Sequence, residues 1–343
     1  MTTTAHPLVA RARRIAEGLL TPQAALVDEE GVPAGHIAAI KESGLLGVTA
    51  PKAYGGWGAP AAVARETAEI LAGACCSTWF VQTQHHTPVQ LLAASEAPVR
   101  ERLLRRLATG ELMAGIAYAH VRAFPRRPVT AVREGDVWRF DGTVPWYTGW
   151  GLNDVLLLAG ATETGDVVFA FAEAREQPGL RPSAPLRLAA LSAARTVALD
   201  LDGLRLPADD VVLRTPYERF AVLDRAKAAR TNPAVLGVAG AALDLLDEET
   251  AGPLRARLAE VRREAYELAG HPVPGERLEE KLAVRTRAQE LLRAATTAAV
   301  VAGGGRAILR DSRAQRLARE ALFLLVQGQT ADSRSAHLRA LTG

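Results

Sequence analysis

Two short stretches of the chain hold residues that can do chemistry. "VPWYTGW", residues 144–150, places two of the five tryptophans, a tyrosine and a threonine together in a protein that is only 5% aromatic. On a strand, such residues either build a cross-strand ladder or offer a flat face and a hydroxyl to a planar partner. "TQHHTP", residues 83–88, carries His85 and His86 at the end of a helical apolar pattern. Histidine works as an acid or base near neutral pH, and it also answers the dipole at a helix C-terminus. The adjacent Cys75 and Cys76 point apart, so they read as small core residues without a disulfide, and no ligand spacing indicates a metal.

The elements that must position these residues follow from periodicity. From Ala5 to about Leu112 apolar residues recur at three and four positions, as in "HPLVARARRIAEGLL" and "AAVARETAEILAGACCSTWFVQTQ", which predicts a run of amphipathic helices interrupted by the glycine-rich loop "APKAYGGWGAP". Between about 115 and 213 the period becomes two, in "DVWRFDGTVPW", "DVLLLAGA", "GDVVFAFAEA" and "RTVALDLDGLRLP", which predicts an antiparallel β domain. From Tyr217 onward four long helical stretches, beginning with "NPAVLGVAGAALDLL", fit a four-helix bundle. The fold class is therefore α+β, with expected domains 1–114 (helical), 115–214 (central β) and 215–343 (C-terminal bundle).

Composition narrows the partners. A chain of 343 residues with 48% hydrophobic residues can bury a large core. No apolar run approaches the roughly 18 to 20 residues of a membrane span, and no signal-like segment opens the chain, so a cytoplasmic, non-membrane protein is expected. The net charge of +3 is small and its basic residues are scattered among acids, which argues against nucleic acid.

In this order of domains, "GLLGVTAPKAYGGWG" (45–58), "ASEAPVRERLLRRLATGELMAGIA" (94–117), "WRFDGTVPWYTGWGLNDVLLLAGA" and "DGLRLPADDVV" (202–212) resemble four motifs of the acyl-CoA dehydrogenases and their flavin monooxygenase relatives. The resemblance implies that Trp146 packs against an isoalloxazine ring, that Thr148 hydrogen-bonds near its N5, and that Gly149 allows close backbone approach. It also sets Gly303 and Gly304, in "VVAGGGRAI", near the adenine end of FAD, although a glycine cluster is equally an ordinary helix break. Arg230, Tyr118 and His120 fall toward the substrate side of the resemblance.

Departures from the family pattern matter as much. Gln327 and Gly328, in "LLVQGQTADSR", stand where the resemblance puts the glutamate base, and neither can usefully accept a proton near pH 7. Asp332, downstream, is turned from that direction by the helical offset. An arginine segment that the family directs to the FAD pyrophosphate is missing, so FAD, FMN or no flavin all stay open. His85 and His86 are the alternative acid–base candidates.

The expectation is an acyl-CoA dehydrogenase-like flavin-dependent oxidoreductase of bacterial specialised metabolism, acting on an acyl thioester of CoA or a carrier protein, or a similar small molecule. A flavin reductase or electron acceptor and self-association complete it. The alternatives are a monooxygenase of the same fold, or a flavin-free homologue that is redox-neutral or non-catalytic.

Overall fold

The computed structural model describes residues 6–271, 273 and 275–342. The first helix, α1 (Pro7–Ile15), starts where the His6 ring accepts a hydrogen bond from the Leu8 amide. It runs through a wide turn (Ala16–Leu20) into α2 (Thr21–Glu30) instead of stopping at Leu20. Pro22 lies just after this turn, and a proline inside a continuous helix removes one backbone hydrogen bond, which a local widening of the helix accommodates. Next come α3 (Ala34–Ser43), α4 (Ala61–Ala74), α5 (Cys76–Thr83), α6 (His86–Ala93) and α7 (Val99–Ala108). The stretch from Ala61 to Gln84 reads as one helix in sequence but breaks at Cys75, whose backbone is extended (φ −153°, ψ 100°). That break lets α5 leave the line of α4.

Eight strands follow: β1 (Ala114–Ala117), β2 (Val129–Glu134), β3 (Val137–Tyr147), β4 (Val155–Ala161), β5 (Asp166–Glu173), β6 (Leu180–Pro182), β7 (Val197–Pro207) and β8 (Val211–Pro216). They form one sheet in the order β6-β7-β3-β2-β4-β5-β8, with β1 beside β4. Most neighbours are antiparallel, as the alternation predicts, but β1 runs parallel to β4 (Ala114 opposite Val155), and β2 meets β4 in the same sense at Thr130 and Ala161. The sheet is thus mixed. Parallel pairing requires a long return of the chain, which the intervening β2–β3 hairpin supplies. Strand β4 is buried at every position, which explains why "VLLLAGA" shows no polar alternation.

The C-terminal helices are α8 (Tyr217–Ala228), α9 (Pro233–Leu243), α10 (Glu248–Ala269), α11 (Leu278–Gly303), α12 (Arg313–Val326) and α13 (Ala331–Thr342). The four long stretches of the sequence correspond to α9–α12. Helix α9 begins on an Asn232 cap that accepts from the Ala234 amide at 3.0 Å, with Pro233 in its first turn. It is apolar nearly all round because α4, α10, α11 and α12 all pack on it.

Helices α4 and α9 approach backbone to backbone. A Cβ on Gly237 would overlap the Glu69 carbonyl, and one on Gly73 would lie 2.8 Å from the Gly237 oxygen. Gly240, one turn further along α9, would meet only a Leu258 methyl at 3.8 Å. Gly237→Ala is therefore expected to cost about 1–3 kcal/mol by forcing the helices apart. Gly240→Ala should be neutral or stabilise by about 0.5–1 kcal/mol. Urea unfolding of the two variants checks this, and equal midpoints would contradict the close crossing.

Candidate functional site

The end of β3 sets the aromatic cluster. A register shift against β7 between Val144 and Tyr147 interrupts the alternation, so Trp146 is 54% exposed while Val144 and Tyr147 are buried. Tyr147 packs edge-on against Trp150 at 6.0 Å, and its hydroxyl accepts from Asn153 Nδ2 at 3.0 Å. Both residues belong to the packing of the β domain. Thr148 is buried and its hydroxyl shares a hydrogen bond of 3.2 Å with that of Thr196.

The following turn is pinned to the loop before β7, with Gly149 N donating to Ala194 O (2.9 Å) and Trp150 N to Arg195 O (3.2 Å). Arg195 holds φ +50°, which a non-glycine residue rarely adopts, so the turn is stiffly supported. Gly149 has φ +83°, and a Cβ there would lie 2.6 Å from Asn153 Nδ2 and 3.2 Å from Val81 Cγ1. These contacts with Asn153 and α5 are reason enough for glycine, without any approach to a ring.

Helix α5 thus carries Val81 against the Thr148–Gly149 turn, and its neighbours line a cavity of about 190 Å³. The walls come from α4 (Arg65, Thr67, Ala68, Leu71), α5 (Trp79, Gln82, Thr83), the start of α6 (His86) and the start of α9 (Asn232, Pro233). None of the lining residues is a carboxylate.

The histidine pair divides here. His86 lines the cavity; burial, followed by the charge of Lys227, pushes its pKa down to about 4, so its imidazole is neutral at pH 7. His85 is completely buried, and its Nδ1 accepts from the Ala114 amide at 3.1 Å. It joins the α5–α6 corner to β1 and does not line the cavity. Nor do the two residues end a helical segment, since α6 begins at once with His86.

His120 also lies outside the cavity lining. It is 6% exposed and donates from Nε2 to the Ala159 carbonyl of β4 at 2.9 Å, while burial lowers its pKa to about 4. Tyr118 packs edge-on against Phe169 and Phe220, and burial raises its pKa to about 12. Arg230 is exposed just before α9, close enough for its charge to act on Arg65 and Lys227.

Arg122 is held by both oxygens of Asp224 at 2.7 and 2.8 Å. Gly303 and Gly304 are exposed at the end of α11, where Gly304 has φ +56° and stops the helix. Neither lines the cavity.

Gln327, just after α12, accepts from Asn232 Nδ2 at 2.9 Å, and Gly328 turns the chain at φ +64°. The Asn232 amide, which lines the cavity, is therefore tied to Gln327, which stands behind it. Asp332 is engaged by Arg225 and does not reach back to it. Sequence reasoning missed Arg65, Trp79, Gln82, Asn232 and Thr196. The available signals were Trp79 and Gln82 three apart on one helix, and the Asn-Pro start of α9. Arg65 carried none, since an arginine in a helical stretch is usually a solvated face.

Helices, a mixed sheet and a helical bundle in this order define the acyl-CoA dehydrogenase fold. Residues 2–111 match the family described as acyl-CoA dehydrogenase, N-terminal domain. The butyryl-CoA dehydrogenase of Megasphaera elsdenii superposes with a TM-score of 0.82 at 17% identity, over 98% of this chain and 97% of that one. A glutaryl-CoA dehydrogenase from Mycobacterium smegmatis, solved with FADH2, gives 0.82 at 19% identity over 98% and 94%. The 3-sulfinopropanoyl-CoA desulfinase of Variovorax paradoxus is 29% identical over 171 residues, 46% of this chain and 41% of the relative, so less than half of that protein is matched. Residues 2–111 thus match that family's N-terminal domain, and the chain as a whole has the fold of these dehydrogenases.

The lowered histidine pKa values have a sign that can be checked at His120. Its neutral form is favoured on folding, so its contribution to stability is complete above the unfolded value near 6.5 and falls as pH drops toward 4. By pH 5 the loss is roughly 2 kcal/mol. Glu320, raised to about 7 by burial, runs the opposite way over the same interval, so the comparison is made between variants. His120→Gln keeps a donor for Ala159 but cannot titrate, and the stability difference between parent and variant should shrink by roughly 2 kcal/mol from pH 7.5 to 5. A difference that stays constant in urea unfolding would contradict a neutral, buried His120.

Proposed function

We propose that the chain is a flavin-dependent oxidoreductase that acts on an acyl thioester or a similar small molecule without a carboxylate base. The observation that carries this reading is Trp146, a tryptophan half open to solvent on the stiffly held end of a strand. It sits two residues before a buried threonine whose turn packs on the cavity-lining helix. An exposed indole beside a buried hydroxyl fits a flat, polar-edged ring system. When bound, a flavin supplies hydride or single-electron chemistry at that ring.

The chain's own residues then divide the remaining work. Trp146 offers a face for stacking, and Thr148, oriented by Thr196, offers a hydroxyl for the ring's polar edge. The Asn232 and Gln327 amides can orient a carbonyl but cannot take a proton. His86 is the cavity group able to accept one, because burial keeps its imidazole neutral. FAD is the favoured cofactor, with a flavin reductase or another electron acceptor as partner and self-association through the C-terminal helices.

A second reading is redox-neutral chemistry on the same thioester. It is favoured by the amide pair in the place of the base and by the name of the curated relative, a desulfinase acting on an acyl-CoA.

Protein supplied with FAD or FMN is expected to show flavin absorption bands, and Trp146→Ala to weaken flavin binding about tenfold. Thr148→Val should weaken it less, by a few-fold. A protein that binds neither flavin, by absorption and by thermal shift, would end the oxidoreductase reading. With flavin bound, anaerobic bleaching on adding an acyl-CoA supports oxidation, whereas product formation with an unchanged spectrum supports the redox-neutral reading.

A further inference from the structure

The cavity is poorly suited to a plain hydrocarbon. Gln82 and Trp79 are each only 2% exposed, and the Gln82 Oε1 and Trp79 Nε1 have no hydrogen-bond partner. Both side chains line the cavity, together with Arg65. The Arg65 guanidinium lies over the Tyr266 ring at 4.6 Å, and its Nε also lacks a partner. Glu69, one turn along α4, is taken by Arg262 (2.8 Å) and the Tyr266 hydroxyl, and no salt bridge to Arg65 exists among the described residues. With His86 neutral and no carboxylate in the lining, Arg65 is the charge of the cavity.

Buried polar groups without partners cost free energy, and an alkyl chain filling this space would leave all three in that state. A ligand oxyanion would accept from Arg65 and from the Trp79 N–H, with charge assistance from the arginine; the orphaned Gln82 Oε1 is itself an acceptor, so that amide meets the anion through its Nε2 only once it is turned about its last bond. The volume equals that of on the order of six waters, which limits the group to a short one.

We propose that the α4–α5 end of the cavity recognises a terminal anion on a short acyl group, so that the substrate is the monothioester of a short dicarboxylic acid or of a comparable acid with another terminal oxyanion. Arg65 pairs with the anion, and Trp79 and Gln82 fix its orientation. This rests on the acyl-thioester reading given above and adds the substrate class to it.

The test is calorimetric titration of the flavin-supplied protein with succinyl-CoA and glutaryl-CoA against butyryl-CoA and valeryl-CoA, which match them in chain length. The anionic thioesters are expected to bind about tenfold to a hundredfold more tightly. Arg65→Met should remove that preference while leaving binding of the alkyl thioesters within a few-fold, and Arg65→Lys should restore part of it. Gln82→Leu, whose volume is close to the parent's, should lower the preference several-fold and guards against a folding defect in the arginine variants. Equal affinity for anionic and alkyl thioesters, or a preference that survives Arg65→Met, would overturn the proposal and leave the acyl-thioester reading intact. Failure of every thioester to bind would remove that reading and the proposal with it.

Discussion

The rest of the site depends on how closely α4 and α9 cross. With glycine at 73 and 237, two helix backbones touch where side chains would normally hold them apart. One wall of the cavity is the first half of α4 and another is the capped start of α9, so this crossing sets the distance between Arg65 and Asn232 across the same space. Interior packing transmits such displacements because it is dense. A shift at the crossing would reach the lining residues directly.

A second constraint ties the β domain to that cavity. The turn at Thr148 and Gly149 is held from two sides, by the backbone of residues 194–195 and by Val81 of α5. Helix α5 is short and follows directly on the extended break at Cys75, so it is oriented by these contacts more than by continuity with α4. The strand residues with an exposed ring and the helix residues with unpartnered polar groups are therefore two faces of one junction.

The electrostatics of the junction bear directly on the proposed acyl-thioester substrate. Its imidazole is neutral, its Asn232 amide is paired with Gln327 while the Gln82 oxygen is not, and its arginine has no salt-bridge partner among the described residues. Such a site favours a substrate that brings its own negative charge. On the proposed acyl-thioester reading, proton abstraction would fall to a weak base and the thioester itself would activate the substrate.

Much of the architecture was legible in the amino-acid order. The change of period from 3.6 to two and back marks the helices and strands, and "VPWYTGW" points to the strand end where Trp146 stands exposed and Thr148 buried. Local signals of this kind survive in sequence because backbone geometry repeats within a few residues. They do not reveal which long-range neighbours meet. Only the tertiary structure separated His85, locked to β1, from His86 on the cavity, although the two differ by one position and are the same residue type. Only it joined Arg65, Gln82 and Asn232, which three different helices carry, and turned β1 parallel to β4. The physical reason is common to all of these: burial and partnership depend on packing between distant segments, and a side chain's own type fixes neither.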